Sequence, residues 1–208
     1  MSGKKFRGKY RINSARLKNY DYSRNGAYFV TIVTENHENY FGEIIDKKMK
    51  LSEIGKIAEK YWDEIPQHFP FVKLDAFVVM PNHVHGIIWI DNDKKTNENN
   101  DDERIDGTRR DAINRVSTTN LNEKQKIPGG ITGNNNPMFH KNLSRIIRWY
   151  KGRCTFEINK LKKYYGFAWQ SRFHDHIIRD ETALNKIREY ILLNPELWGR
   201  DRNNNANW

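Results

Sequence analysis

The sequence has little of what a disulfide, a thiolate metal site or a membrane span requires. Its 208 residues include a single cysteine, Cys154, which excludes an intramolecular disulfide and a cysteine-rich zinc site. It shows no signal-peptide pattern and no apolar run of about 20 residues, the length that crosses a bilayer. We therefore expect a soluble, cytoplasmic protein with no membrane partner.

Negative charge is also scarce. The chain has 36 Lys and Arg against 26 Asp and Glu, which gives a formal net charge of +10. A basic chain attracts anions, and the interleaving of its cations with aromatic residues favours nucleic acid over a lipid surface. A convincing glycine-rich phosphate-binding loop is absent as well, so nothing in the sequence indicates a need for ATP.

What is present is an alternation of strand and helix patterns. Residue type and periodicity predict a strand at 28–34, a helix at 51–65, two strands within 73–91 broken at 80–82, a helix at 142–164, a strand within 167–179 and a helix between Asp180 and Pro195. This order is βαββαβ with one more helix. It predicts an α+β, ferredoxin-like antiparallel sheet with two helices on one face.

Two segments stand outside this pattern within a single domain of residues 1–208. Residues 92–137 are rich in Asn, Asp, Lys and Gly and contain too few apolar residues to offset the entropy of ordering, so we predict a flexible insertion. Residues 1–24 are basic and aromatic, and we predict that they form an N-terminal arm. The arm can bind DNA phosphates and bases, or it can simply be solvated.

Two histidines interrupt an apolar strand in the sequence MPNHVHGIIWI. Alternate residues of a strand share a face, so His83 and His85 lie on the same side as Ile87 and Trp89. Two neutral imidazoles on one face can bind a single divalent cation. Two histidines hydrogen-bonded at a strand end would produce the same pattern.

The last predicted helix carries a tyrosine and an amide. Tyr190 and Asn194 are four residues apart and share a helical face beside the apolar stripe that would pack on the sheet. Tyr164 and Tyr165 are rival candidates for a functional tyrosine, but they lack a metal-capable partner at helical spacing. Tyr190 is the preferred candidate.

Three segments taken together resemble the single-tyrosine HUH transposases. They are PNHVH on a strand, RLKNYDYSRNGAYFVTIVTENHENYFGEI in the N-terminal part and FAWQSRFHDHIIRDETALNKIREYILLNP in the C-terminal part. The chain is most similar to the REP-associated tyrosine transposases, which resemble the insertion-sequence-200 transposases. The resemblance covers nearly all of the chain except the insertion, and it implies the HUH endonuclease fold with the tyrosine on an added C-terminal helix.

The resemblance also implies the site residues. The family's metal-binding histidines correspond to His83 and His85, its nucleophile to Tyr190, and the metal-binding side chain one turn later to Asn194. The implied activity is metal-dependent cleavage and strand transfer on single-stranded, hairpin-forming DNA through a 5′-phosphotyrosine, by a monomer or homodimer. We expect Mg²⁺ or Mn²⁺, although these ligand types also suit zinc. We expect His176 to support the site rather than to bind the cation.

Further residues are candidates for DNA contacts because they combine positive charge with aromatic rings. They are Arg7, Lys9, Arg11, Arg16, Lys18, Tyr20 and Tyr22 in the arm, Arg145, Arg148, Lys151 and Arg153 in the long helix, and Trp169, Arg172 and His174 in the loop that follows. The helical cations can equally be a solvated face, and a tryptophan such as Trp169 is more often part of a core.

Two other functions fit the same sequence. One is a non-catalytic or domesticated protein that binds single-stranded nucleic acid through the same fold and basic surface. The other is a metal phosphohydrolase that uses water, with Tyr190 in a structural role. A trapped protein–DNA adduct separates these alternatives from a tyrosine transposase.

Overall fold

The computed structural model describes residues 17, 20–92, 141–161 and 166–207. Its strands are β1 (Gly26–Val33), β2 (Gly42–Ile45), β3 (Lys48–Leu51), β4 (Val72–Met80), β5 (His83–Ile90) and β6 (His174–Ile178). Its helices are α1 (Glu53–Asp63), α2 (Ile65–His68), α3 (Leu143–Lys160) and α4 (Glu181–Leu193). Short 3₁₀ turns lie at Glu35–His37, Trp198–Arg200 and Asn205–Asn207.

The main sheet is antiparallel, with strand order β4-β5-β1-β6. A turn at Pro81 and Asn82 joins its neighbouring strands β4 and β5. The register places Thr31 of β1 opposite His85 on one side and His174 on the other. The predicted α+β class and antiparallel sheet are therefore confirmed. The separate β2–β3 hairpin was not predicted from the sequence.

The larger core lies between one face of the sheet and helices α1 and α3. Val84 and Ile88 of β5 are buried there, together with Trp62 and Tyr150. A Cβ atom on Gly86 of β5 would lie 2.1 Å from Cζ2 of Trp62, so the indole occupies the space above this residue. The strand can pack this closely on α1 because position 86 has no side chain.

The opposite face of the sheet is covered by α4. A smaller buried cluster forms there, in which Ile87 of β5 packs with Leu184 and Ile191 of α4. The side chain of Asp180 accepts a hydrogen bond from Ala183 N and caps the helix. The predicted alternation of β5 is thus observed, and the face that carries His83 and His85 is the face on which α4 packs.

Some predictions fall outside the described residues. These are the arm residues Arg7, Lys9, Arg11, Arg16 and Lys18, the tyrosines Tyr164 and Tyr165, and the insertion from residue 93 onward. Asn92, the first residue of the predicted insertion, is hydrogen-bonded to Asn25 and Ser23. Within the described part of the chain, no helix combines the length and apolar character needed to cross a membrane.

Candidate functional site

The two histidines are buried side by side at the start of β5. His83 follows the turn directly, and it and His85 point to the α4 face with almost no exposed surface. Their Nε2 atoms are 3.0 Å apart, and the two rings meet edge to face. Both imidazoles therefore direct the same nitrogen toward a common point.

A hydrogen bond to Asn82 sets the orientation of His83. The Asn82 amide nitrogen donates to the carbonyl oxygens of His37 and Asn203, which identifies Oδ1 as the acceptor for His83 Nδ1 at 2.8 Å. Since Nδ1 carries the proton of the neutral ring, Nε2 keeps its lone pair. His83 is thus held in the form that binds a cation through Nε2.

Thr31 holds the second ring. Its Oγ1 lies 2.8 Å from His85 Nδ1. Phe29, two residues earlier on the same strand, stacks on the His85 ring with centroids 5.3 Å apart. The ring of His85 is therefore fixed by one hydrogen bond and one stacking contact.

Burial keeps both imidazoles neutral. It lowers the pKa of His83 to about 3, and the neighbouring His37 and Arg202 act in the same direction. Burial also lowers the pKa of His85 well below its usual value, and the neighbouring His83 adds to the effect. A metal ligand must be unprotonated, so both rings are ready to bind a cation at neutral pH.

A carboxylate that the sequence did not indicate completes the cluster. Asp201, in the C-terminal segment, places Oδ2 3.9 Å from His83 Nε2. One candidate ligand atom from each of His83, His85 and Asp201 lies within 4.8 Å of the other two. Two neutral imidazoles and a carboxylate fit a divalent cation in charge and ligand type.

Asn194 lies one turn after Tyr190 and is almost completely buried. Its Oδ1 has no hydrogen-bond partner among the described residues. A buried amide oxygen without a partner is costly, and a cation would satisfy it. The predicted role of Asn194 as a ligand is compatible with this environment.

The tyrosine of α4 reaches the histidine pair within the same chain. Tyr190 Oη lies 3.3 Å from His85 Nε2, and the residue is 40% exposed. Burial raises the pKa of Tyr190, as does the negative charge of Asp201, while the amide of Asn194 and the charge of Arg202 act in the opposite direction. Without a nearby cation the phenol is therefore protonated at neutral pH.

The residues predicted to contact DNA separate into several groups. Arg172 and His174 line a cleft of about 260 Å³ beside the histidines, and Arg202 and Asn203, which the sequence did not indicate, complete it. Arg148 and Lys151 line a larger groove along α3.

Arg145 and Arg153 lie over the rings of Phe69 and Tyr61, respectively. Trp169 is a core residue that packs on Phe41, Tyr150 and Phe167 and touches the groove. Tyr20 and Tyr22 form an aromatic cluster with Tyr28. His176 is exposed on β6 opposite Phe29, so this phenylalanine lies between it and His85.

Comparison with known proteins gives relatives in sequence and in fold. No protein-family model matches the sequence. An uncharacterized protein of Haemophilus influenzae is 34% identical over 195 residues, which cover 94% of each chain. A second protein of that bacterium, provisionally named a REP-associated tyrosine transposase, is 22% identical over 86% of this chain and 76% of its own.

A solved structure shares the fold. It is a REP-associated tyrosine transposase bound to a REP hairpin, with a TM-score of 0.51 and 17% sequence identity. The superposition covers 88% of this chain and 74% of the solved chain. The fold predicted from the sequence is thus found in a protein of the group that the sequence resembles.

Proposed function

Since the chain belongs to one family with the Haemophilus influenzae protein that is 34% identical to it, and is a relative of the REP-associated tyrosine transposases, we propose that it is a metal-dependent single-strand DNA endonuclease and strand transferase. One observation carries the proposal. Tyr190 Oη lies 3.3 Å from His85 Nε2, which is itself 3.0 Å from His83 Nε2. A tyrosine and two neutral imidazoles share one small volume.

His83, His85 and Asp201 would hold the cation, with the unpartnered Oδ1 of Asn194 as a further ligand. A divalent cation at this position supplies Lewis-acid polarisation of a phosphate and lowers the proton affinity of a nearby phenol. Mg²⁺ and Mn²⁺ suit a site that includes oxygen ligands.

Tyr190 would act as the nucleophile. Its phenol oxygen forms a bond to the phosphorus of the scissile phosphodiester while the bond from phosphorus to the 3′ oxygen breaks. The phenol loses its proton, and the departing 3′ oxygen gains one. The product is a phosphodiester between Tyr190 and the 5′ end, so attack by another 3′ hydroxyl can reverse the step and join strands without ATP.

Hairpin-forming DNA is the proposed substrate. The solved relative is bound to a REP hairpin, and the basic residues Arg172 and Arg202 line the cleft beside the histidines in this chain. Cationic clefts attract phosphates and raise the association rate. The nucleophile and the histidines come from one chain, so a monomer contains the complete site.

Trapping of the covalent complex tests this proposal. With Mn²⁺ and a single-stranded hairpin substrate, the wild-type protein should form an adduct that survives a denaturing gel. Tyr190→Phe retains the ring and should fold and bind DNA but give no adduct. His83→Ala and a chelator should abolish cleavage while most DNA affinity remains, because phosphate contacts elsewhere dominate binding. Asn194→Ala should be milder, since water can replace a neutral ligand.

The other outcomes identify the alternatives. Cleavage without any adduct would indicate a metal phosphohydrolase that uses water. DNA binding with neither cleavage nor adduct, at any cation concentration, would indicate a non-catalytic or domesticated binding protein. An adduct that persists in Tyr190→Phe would assign the nucleophile to another tyrosine, with Tyr164 and Tyr165 tested first.

A further inference from the structure

A groove of about 870 Å³ runs along α3 on the side that does not face α1. One helical stripe forms its wall, and the segment before β6 forms its floor. The lining residues from α3 include Ser144, Arg148, Lys151, Gly152, Thr155 and Phe156. This volume lies within the range of small-molecule and cofactor sites, about 300–1,000 Å³.

The groove combines fixed positive charge with exposed aromatic surface. Lys151 Nζ donates to the carbonyl oxygen of Gln170 at 2.5 Å, which holds the ammonium at the wall. Arg148 is exposed one turn earlier. Phe156 is 55% exposed, an unusual environment for a phenylalanine. Lys160 places Nζ 4.5 Å from the centre of the Phe156 ring, and its charge is paired with Glu157 at 2.9 Å.

A glycine in the middle of α3 keeps the groove open. Gly152 lies in an 18-residue helix, where glycine costs about 0.5–1 kcal/mol relative to alanine. A Cβ atom built on Gly152 meets no atom within 4 Å, so packing does not require the glycine. The residue lines the groove, and any larger side chain would project into this space.

The groove adjoins the smaller cleft that lies next to the histidine pair. Its floor includes Ser171 and Phe173, while Gln170, Arg172 and Phe173 line the smaller cleft. Phe173 therefore belongs to both cavities. The smaller cleft also includes Thr31, which is hydrogen-bonded to His85. The groove and the smaller cleft therefore meet at Phe173, and the cleft is next to the histidine pair through Thr31.

We infer that this groove binds an unpaired nucleotide of the DNA strand, with the base against Phe156 and its phosphates near Arg148 and Lys151. This inference rests on the proposed action on DNA. A nucleotide combines an aromatic face with negative charge, and it matches the pairing of a phenylalanine with two cations. Stacking of this kind is tolerant of base identity, so the groove selects unpaired over paired bases rather than one sequence.

Fluorescence anisotropy in the presence of a chelator, which prevents chemistry, tests the groove directly. The probes are a short thymidine oligonucleotide and an abasic oligonucleotide of the same length. Wild-type protein should bind the thymidine probe more tightly. Phe156→Ala should weaken that binding about tenfold and leave the abasic probe unaffected. Arg148→Ala should weaken both and reduce the slope of log affinity against log salt by about 0.7.

Two further variants separate the groove from general effects of charge or stability. Gly152→Leu should fill the groove and abolish the preference for the thymidine probe without lowering the thermal midpoint. Lys56→Ala removes one exposed charge from α1 and should leave that preference unchanged. Equal wild-type affinity for the two probes, or an equal effect of Lys56→Ala and Phe156→Ala, would overturn the inference.

The nuclease proposal and the groove can fail separately. Tyr190→Phe and His83→Ala should bind the thymidine probe like the wild type. If these variants bind the probe normally but the wild-type protein never forms an adduct on a hairpin substrate, the groove proposal holds and the nuclease proposal is wrong. If adducts form normally and Gly152→Leu retains the preference for bases, the nuclease stands and the groove is wrong.

Discussion

At the residue scale, the Thr31 hydroxyl can hydrogen-bond to His85 Nδ1 whether or not that nitrogen carries the ring proton. His83 Nε2 carries a lone pair, so its 3.0 Å contact with His85 Nε2 requires a proton on the latter when no cation is bound. Thr31 then donates to His85 Nδ1. If His85 Nε2 held a cation, the ring proton would be on Nδ1 and Thr31 Oγ1 would accept its hydrogen bond. A hydroxyl can do both, and an apolar side chain of the same shape can do neither.

Thr31→Val should therefore weaken cation binding. We expect about a 10- to 100-fold loss of Mn²⁺ affinity by calorimetry, the usual range for groups that orient metal ligands. Adduct formation at saturating Mn²⁺ should recover substantially. Thr31→Ser keeps the hydroxyl and should behave like the wild type. Unchanged Mn²⁺ affinity in Thr31→Val would mean that Phe29 alone orients the His85 ring.

Two glycines should respond oppositely to the same substitution. Gly86→Ala should lower the free energy of unfolding by about 1–3 kcal/mol, because the added Cβ collides with Trp62. Gly152→Ala should raise it by about 0.5–1 kcal/mol, since the Cβ of Gly152 meets open space. Denaturant titration of both variants measures the sign of each change in the free energy of unfolding. A stabilised Gly86→Ala would contradict the tight packing of β5 on α1.

At the element scale, α4 is held to the sheet by few contacts. Its apolar cluster is small, and Leu192 on its outer side is 71% exposed. The Arg188 side chain adds a two-pronged ion pair to Asp75 of β4, with Nε to Oδ1 at 2.8 Å and Nη2 to Oδ2 at 2.6 Å. Trp89 donates to the same carboxylate. Arg188 lies two residues before Tyr190, so the ion pair helps to position the proposed nucleophile.

Asp75→Asn should loosen α4 in a pH-dependent way. The hydrogen-bonded Arg188 lowers the pKa of Asp75 from 3.8 to about 2, with smaller contributions from Ala76 N and Trp89, against an opposing effect of burial. A depressed carboxyl pKa stabilises the fold above the unfolded value and loses that effect as pH falls toward 2. The thermal midpoint of Asp75→Asn should therefore lie below that of the wild type at pH 7, and the gap should narrow near pH 2.

Hydrogen exchange gives the local readout for the same variant. Amides of α4 should exchange faster in Asp75→Asn at pH 7, while those of α3 should not change. Glu157→Gln removes a carboxylate from an exposed ion pair on α3. It should change amide exchange little, because ion pairs at the protein surface usually contribute little to stability. An equal effect of the two substitutions at pH 7 would show that Asp75 does not anchor α4.

The elements that position the site were predictable because local pattern specifies them. Alternation on β5 sets His83 and His85 on one face, and helical spacing sets Tyr190 beside Asn194. The β2–β3 hairpin was missed for a local reason. Its strands have only four residues each, which is short for a period-of-two pattern to be recognised, and its turn uses Asp46 and Lys47 at positive φ instead of the usual Asn-Gly.

At the scale of the whole molecule, the candidate site is built from distant parts of the chain. Asp201 was not predicted because its position beside His83 depends on how the C-terminal segment packs against residues far away in the sequence. Hydrogen bonds hold that segment down, as Asn82 Nδ2 donates to Asn203 O at 2.7 Å and Asn205 Nδ2 donates to His37 O at 2.8 Å. No sequence periodicity encodes such contacts, whereas β5 and α4 follow regular spacings.

The two ends of the segment that connects β5 to α3 lie near each other, which allows a test of whether the fold needs the insertion. Both of its flanks are tied to one turn: Asn92 Nδ2 donates to Ser23 O at 2.5 Å, and Leu143 N donates to Tyr22 O at 3.2 Å. The flanks are therefore close in space. A Gly/Ser linker of about ten residues, with a mean span of about 17 Å, should be able to join them.

Replacement of residues 93–137 by such a linker should leave the thermal midpoint and Mn²⁺ affinity nearly unchanged. Loop-closure entropy changes only slowly with length, and the polar composition of the insertion offers few residues to the core. Asn92→Ala in the same background should cost more stability than the replacement itself, because it removes the tie to Ser23. A cooperative loss of fold on replacement, with Asn92 intact, would instead mean that the insertion is a structural part of the domain.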